Sequence, residues 1–383
     1  MTDFTEAYGN RLLKGIIRYS HEHTPCILCK VPLSLRETRG LDGVLNFALE
    51  WKADAIIGQF HSYDDPSIFE RNGIIAVAQD FESRFDNISN ITADYRAEGR
   101  AGGEYLLSLG ARNFAFYGMN GKVWSNERRD GFVSRIKESF PEAPVFIKER
   151  SFLSPTWWYD LSELEDWLQW LPKPVAIMTC DDSMAYQIVE ACQQSSSLDL
   201  QIPRDIMLLG VDDDETVCQL CSPTLSSLGQ QVEKAGYMTA ELIANRLKLP
   251  VEQRFNVCDD IIVEIGGLVI RKSTDVFLHA NPYIKNVCTY IHRNYNSPIS
   301  VSDIAAQVPM SRRLLERIFR DEIGTSIYQY LIKIRIDRVK ALLAEGFSPQ
   351  DAASELNIDL KALSRTFKAV EGVTLTKFAE RYK

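Results

Sequence analysis

Up to about residue 270, short apolar runs rich in β-branched and aromatic residues alternate with stretches whose apolar positions recur at helical spacing. The clearest runs are Asp54-Ala-Ile-Ile-Gly58, Ile74-Ile-Ala-Val-Ala78, Phe114-Ala-Phe-Tyr-Gly118, Val175-Ala-Ile-Met-Thr179 and Ile206-Met-Leu-Leu-Gly-Val211. Such a βαβ series predicts an α/β architecture of parallel sheets covered by helices on both faces. Two consecutive arrays of this kind predict two Rossmann-like lobes with a cleft between them, and in such sheets ligands sit beyond the carboxyl ends of the strands. Cys26-Ile-Leu-Cys29 also falls in an apolar run that reads as a strand. Residues three apart on a strand face opposite sides, so this pair, like Cys218/Cys221, reads as buried reduced thiols rather than a metal or redox site.

Near residue 271 the strand alternation stops, and after a linker over 273–282 the chain from 283 to 383 reads as helices joined by short turns. Ser300-Val-Ser-Asp303 has the form of a capping box ahead of a short helix, Ile304 to Val308, which Pro309-Met310 breaks. Ser311 can then cap a second helix, Arg312 to Glu322. Leu314, Leu315, Ile318 and Phe319 form one face of it, and Arg313, Arg317 and Arg320 line another. Ser348-Pro-Gln-Asp351, Ala352 to Leu356, a turn at Asn357-Ile358 and the Asp359-capped helix Leu360 to Val370 repeat the scheme, with Lys361, Arg365 and Lys368 on one side. Ile327 to Glu345 reads as one long helix joining the two units, ended by Gly346. A short helix, a tight turn and a second helix with a basic face is the arrangement in which the second helix enters the major groove of DNA.

The 383 residues, 45% hydrophobic and 10% aromatic, suffice for several buried cores and exclude a disordered chain. The start lacks a basic segment followed by an apolar one, and no run of about eighteen apolar residues occurs, so the expectation is a soluble cytoplasmic protein without a membrane partner. The net charge of −9 is unevenly spread: residues 283–383 hold 16 Lys and Arg against 11 Asp and Glu, a net +5, which leaves −14 for the rest. Such asymmetry points to a basic nucleic-acid-binding module joined to an acidic one.

Residues 283–383 resemble the C-terminal domain of the AraC family through Leu315-x-Arg317-x-Phe319, Gly324 with Ser326, Arg335, Leu342-Leu343, and Arg365-Thr-Phe367-Lys368 followed by Gly372 and Tyr382. The resemblance implies base contact by Arg313, Glu316 and Arg317, and by Lys361 and Arg365, within a candidate DNA-binding set that includes Ser311, Arg312, Arg320 and Lys368. Pro309 and Asn357 stand where that family usually has glycine, and Leu375 where it usually has proline, so the second unit is expected to be the weaker base reader. Residues 1–272 resemble the periplasmic-binding-protein-like sensor of the LacI family. Thr92-Ala-Asp94, Arg128-Arg-Asp-Gly131-Phe, Asp181-Asp182-x-x-Ala185, Pro203-x-Asp205-Ile-x-x-x-Gly210-Val-Asp212, Ser222-Pro-x-Leu225 and Arg271-x-Ser273 carry that likeness. The pairing of such a sensor with an AraC-type reader is similar to the xylose-operon regulators. It implies a transcription activator controlled by xylose or another pentose, acting as a homodimer on double-stranded DNA and contacting RNA polymerase.

A cleft for a neutral sugar needs carboxylates and a guanidinium, because charge-assisted hydrogen bonds to hydroxyls give strength and orientation. Asp94, Arg128, Asp181 and Asp212, each just after an expected strand or at a helix start, supply that set, with Asp213 and Tyr8 as further candidates. Trp124, Trp157 and Trp158 read as core residues before sugar-stacking ones. The LacI family places a first strand before the segment matching Thr5-Glu-Ala-Tyr-Gly-Asn10, where only four residues stand here; either that strand lies upstream or it is lost. No enzyme, catalytic residue, metal ligand or cofactor is expected. Two alternatives remain: a magnesium-dependent aspartyl-phosphate phosphatase using Asp212 and Asp214 of Asp-x-Asp-x-Thr, and a sugar-binding transport component.

Overall fold

The computed structural model describes residues 7–23, 25–151, 161–195, 198–255, 258–275, 282–344 and 347–379. Trp157, Trp158, Gly346 and Tyr382 lie outside these, as do Thr5 and Glu6. The chain divides into two compact units, one of nearly all residues up to Thr274 and one from Asp275 onward.

In the first unit, α1 (Ala7–Glu22) and α2 (Leu33–Glu50) precede β1 (Ala55–Gln59), α3 (Ser67–Arg71), β2 (Ile75–Gln79) and β3 (Ser89–Ala93). There follow α4 (Tyr95–Ser108), β4 (Phe114–Asn120), α5 (Val123–Ser139), β5 (Val145–Ser151), α6 (Ser162–Trp170), β6 (Val175–Thr179), α7 (Asp182–Gln194), β7 (Ile206–Asp212), α8 (Glu215–Leu220) and β8 (Ser226–Gln230). Then come α9 (Val232–Leu247), β9 (Ile261–Val263) and β10 (Ile265–Val269). The five apolar runs are β1, β2, β4, β6 and β7. Two sheets form, ordered β1-β2-β3-β9 and β10-β8-β7-β6-β4-β5, so the strands pass between the two lobes three times rather than filling them consecutively. Pairing is parallel from β1 to β9 in the first sheet and from β8 to β5 in the second, with Ala55 opposite Ile75, Ile91 opposite Ile261, Phe114 opposite Ala176 and Leu209 opposite Ser226. β10 runs against β8, with Gln231 N bonded to Glu264 O at one end and Arg271 beside Ser226 at the other.

Every residue of β2 is buried, as a strand covered on both faces requires. Ile75 and Val77 pack with Leu12, Ile16, Val232 and Ala235 under α1 and α9, while Ala76 and Ala78 pack with Val44, Leu45 and Phe69 under α2 and α3. Two helix crossings depend on glycine. A Cβ on Gly15 would stand 1.9 Å from Glu233 O, and one on Gly236 2.0 Å from Leu12 O, so α1 and α9 touch backbone to backbone. Gly99 and Gly131 do the same for α4 and α5, with Cβ positions 2.0 Å from Arg128 O and 2.1 Å from Arg96 O.

One expectation is corrected here. Cys26 and Cys29 are exposed, and residues 25–32 join neither sheet: an apolar run makes a strand only where a ladder partner exists, and periodicity cannot supply one. Cys218 and Cys221 are buried thiols as expected. Ser273 and Thr274 are also buried, with Ser273 Oγ donating to Leu208 O (2.6 Å), so the first unit runs two residues beyond 272.

The second unit holds α10 (Pro282–Asn294), α11 (Val301–Ala305), α12 (Arg312–Ile323), α13 (Ile327–Ala344), α14 (Pro349–Glu355), α15 (Leu360–Glu371) and α16 (Leu375–Ala379). Its two halves have separate cores. Ile284, Ile291, Ile304, Leu315, Phe319 and Leu331 make the first, and Val339, Leu342, Leu356, Leu363, Phe367 and Phe378 the second. Ser300/Asp303 and Ser348/Asp351 form reciprocal capping boxes, and Ser311 and Asp359 cap the helices after the turns. The first box starts α11 at Val301, three residues before the expected Ile304, because the capped residue sets the first helical position. α12 and α15 both end on a left-handed glycine, Gly324 (φ 78°) and Gly372 (φ 72°).

Candidate functional site

The carboxyl ends of β2, β3, β6, β7 and β8 converge on one crevice between the two lobes, where α1, α4 and α5 add side chains. Arg128 on α5 is buried at its centre. Its Nε donates to Glu98 Oε2 (2.7 Å), one terminal nitrogen donates to Cys180 O, and the other faces Asp212 Oδ1 (3.5 Å). The Tyr95 and Trp124 rings lie 5.1 and 5.5 Å from the guanidinium carbon. Asp212 ends β7 with φ at 101°, and its carbonyl accepts from Arg11 Nη2 across the lobes (2.6 Å). Asp181 caps α7 by accepting from Met184 N (2.7 Å); burial, with Asp212 close by, pushes its pKa up to about 6. Burial also raises the Tyr8 phenol, and the Asp212, Asp80 and Glu98 carboxylates around it add to the shift.

Tyr8, Arg128, Asp181 and Asp212 are thus brought together, whereas Asp94 and Asp213 are occupied elsewhere. Asp94 is exposed and accepts from Ala97 N (2.9 Å) at the start of α4. Asp213 accepts from Arg271 Nη2 (2.7 Å), and its N–H donates to Ser227 Oγ (3.0 Å). Trp124 borders the crevice and packs on the first-lobe core. Asp214 spends one carboxylate oxygen on Thr216 N (2.9 Å) and Val217 N (3.3 Å) as the cap of α8, so it is not presented as the partner acid that a phosphatase site needs.

Five residues at the crevice escape sequence reasoning: Asp80, Arg84, Glu98, Gln230 and Arg11. Asp80 accepts on Oδ2 from Thr92 Oγ1 and from Arg84 Nε (3.2 Å), while Oδ1 is buried and meets no donor at hydrogen-bond distance. Burial pushes its pKa up to about 6, against the lowering effect of Thr92 and Arg84. Gln230 donates its amide nitrogen to Glu98 Oε1 (2.6 Å), which turns its buried Oε1 away without a partner. Arg11 Nε is likewise buried and unmatched. Gln79-Asp80 directly follows an apolar run, so position alone could have flagged it. Glu98, one turn into a helix, carries no such signal.

Arg84 ties the lobes together. Its terminal nitrogens donate to both oxygens of Glu127 on α5 (2.8 and 2.9 Å), while Nε holds Asp80 and Thr92. Val123 N donates to Phe81 O (3.0 Å), and Lys122 Nζ to Glu82 (3.4 Å).

In the second unit, Ser311 Oγ accepts from Leu314 N (3.3 Å) as a cap, and Arg312 and Glu316 engage each other (2.9 Å). Arg313, Arg317 and Arg320 on α12, and Lys361, Arg365 and Lys368 on α15, are exposed opposite the buried Leu315/Phe319 and Leu363/Phe367.

Residues 104–274 match the family described as a periplasmic binding protein-like domain, and residues 304–381 match a helix-turn-helix domain. The chain is a DNA-binding transcription regulator that joins a periplasmic-binding-protein-like domain to a helix-turn-helix domain. The regulator is 25% identical to the xylose operon regulatory protein of Escherichia coli K12 over 77% of its own length and 75% of that protein's. It is 29% identical to the protein of that name from Haemophilus influenzae over 63% and 61%. Its fold matches a xylose-binding transcription activator with a TM-score of 0.55 at 21% identity, covering 99% of the regulator and 96% of that chain. The sensor alone matches a LacI-family regulator from Enterococcus faecium solved with ribose, with a TM-score of 0.56 at 19% identity over 72% and 96%. Among the described residues, no helix is long and apolar enough to cross a membrane.

Proposed function

We propose that the regulator binds an uncharged pentose, xylose first, in the inter-lobe crevice, and that the sugar controls how its helix-turn-helix unit binds double-stranded DNA to activate transcription. The observation that carries this reading is the mismatch of hydrogen-bonding groups at the crevice. Asp80 Oδ1 and Gln230 Oε1 are buried acceptors without donors, while the guanidinium nitrogens of Arg84 and Arg128 are spent on protein carboxylates and carbonyls. An unpaired buried polar group costs about 1–3 kcal/mol, so a ligand rich in hydroxyl donors is favoured. A phosphorylated sugar would find acidic neighbours in Asp80, Glu98, Asp181 and Asp212, and of the crevice arginines only Arg11 keeps an unmatched nitrogen, Nε, beside an Nη2 already bonded to Asp212 O. Tyr8, Arg128, Asp181 and Asp212 are the sugar-contact set, to which we add Asp80, Gln230 and Arg11.

On the DNA side, Arg313, Arg317, Lys361 and Arg365 are the base readers, and Arg320 and Lys368 the phosphate contacts. We further propose a cytoplasmic homodimer that contacts RNA polymerase, with no catalytic activity, as the named relatives and the modest basic charge of the DNA-binding unit suggest. A thermal-shift screen of pentoses, hexoses and their phosphates tests the ligand class. The bound sugar at about a hundred times its Kd should add about 2.7 kcal/mol of stability, and its phosphate ester nothing. A gel-shift titration that gives equal DNA affinity with and without the stabilising sugar overturns the control mechanism.

A further inference from the structure

The two halves of the DNA-binding unit have separate cores, so if α13 were their only connection, the angle between α12 and α15 would rest on the stiffness of one helix. A second tie runs through the turn between α10 and α11. Arg335 on α13 donates from Nε to Tyr295 O (2.8 Å) and from Nη2 to Ser297 O (2.7 Å). Asn357, in the turn of the second half, donates from Nδ2 to Asn296 O (3.1 Å). Three successive carbonyls of a first-half turn are therefore held from the connecting helix and from the second half. The Tyr295 ring packs against both cores at the same place.

Asn357 has φ at 49°, a conformation that glycine adopts freely and that asparagine tolerates better than most side chains. Glycine would satisfy the backbone but could not reach Asn296. We propose that Arg335 and Asn357 are positioning residues for DNA reading: their grip on the Tyr295–Ser297 turn fixes the separation and angle of α12 and α15, so that DNA is bound tightly at one spacing of its two contacted tracts. The guanidinium supplies most of the grip, because two bonds from one charged, half-buried group outweigh a single exposed amide bond. Asn357 adds the link that reaches the second half itself. The inference rests on the unit's being a DNA binder.

The test uses the full chain and a duplex selected by the wild type from a random pool, together with versions carrying one base pair inserted or deleted between the two protected tracts. One added base pair shifts the second tract by about 3.4 Å and rotates it by about 35°. If both helices bind at once, the wild type should lose about a hundredfold on the altered duplexes, since engagement of the second helix is forfeited. Asn357→Gly, which keeps the backbone conformation, and Arg335→Lys, which keeps the charge, should bind the selected duplex about three- to tenfold more weakly and lose only about tenfold or less on the altered ones. Variants that weaken equally on every duplex, keeping the hundredfold spacing penalty, overturn the proposal and leave these residues a merely structural role. A wild type that selects no duplex, or one with no spacing penalty, removes the two-helix reading and the proposal with it.

Discussion

Asp80 stands at the end of β2 with one oxygen held by Thr92 and Arg84 and the other buried without a donor. Burial pushes its pKa up to about 6, above the ordinary carboxylate value near ~4. The folded, sugar-free protein therefore keeps a proton that the unfolded chain releases, so stability falls as pH rises from about 4 to 6 and stays lower above that window. Asp80→Asn removes this cost: the sugar-free protein should gain about 1–3 kcal/mol at pH 8, a rise of about 3–8 °C in Tm, and nothing near pH 4. The same substitution should weaken sugar binding by tenfold or more, about 1.4 kcal/mol, because an ionised acceptor is lost. A sugar-free variant that melts lower than wild type at pH 8 contradicts the assignment; paired melting curves at the two pH values decide it. Sequence position marks Asp181 and Asp212 and could have marked Asp80, which the sequence reading missed, since all three follow apolar runs. Glu98, Gln230 and Arg84 gain their roles from partners 30 to 132 residues away, or from a loop whose path no local pattern predicts.

The crossing of α4 and α5 turns such residues into a site. Glu98 precedes Gly99 and Arg128 lies three residues before Gly131, so the near-contact of the two backbones brings the carboxylate and guanidinium to 2.7 Å. Gly99→Ala places a Cβ 2.0 Å from Arg128 O, against main chain that cannot swing aside. Overpacking of this kind costs about 1–3 kcal/mol, and since the strain falls beside the ion pair, we expect a lower Tm together with weaker sugar affinity by calorimetry. Gly103→Ala, whose Cβ would meet only the Arg135 and Phe132 side chains at 3.3–3.4 Å, should lose less of both; equal losses would show that the crossing has no special link to the site. Gly131 belongs to a motif legible in the sequence, and the crossing supplies its reason. The strands were legible where they are apolar. Ser89-Asn-Ile-Thr-Ala93 and Ser226-Ser-Leu-Gly-Gln230 are fully buried yet polar, because Ser89 bonds Arg246, Asn90 bonds Asp260, and Ser227 bonds Asp182 from distant segments. Hydrophobic patterning cannot anticipate partners of that kind, just as it could not deny a ladder to Cys26–Cys29.

For the whole molecule, we propose that the sugar acts by closing the two lobes and that the DNA-binding unit reads this closure. Arg84 grips Asp80 inside the crevice with one nitrogen and Glu127 on the opposite lobe with two, so filling the crevice and closing it share one side chain. Replacing Glu127 with Gln leaves the packing volume but trades a charge-assisted fork for a neutral contact, a loss of about 1–2 kcal/mol in a half-exposed pair and so about 5–30-fold in the closing equilibrium. Where closure limits binding, apparent sugar affinity falls by the same factor. Linkage then constrains the other end of the chain. Whatever factor the sugar applies to DNA affinity, DNA applies to sugar affinity, and weakening the shared conformational step reduces both together. For Glu127→Gln we therefore expect weaker sugar binding, unchanged DNA affinity at saturating sugar, and a titration of DNA affinity against sugar displaced to higher concentration by the same 5–30-fold. If sugar affinity drops while the DNA titration stays where the wild type's is, the lobes close without being read by the DNA-binding unit, and the acidic and basic parts of the chain are coupled by some route other than closure.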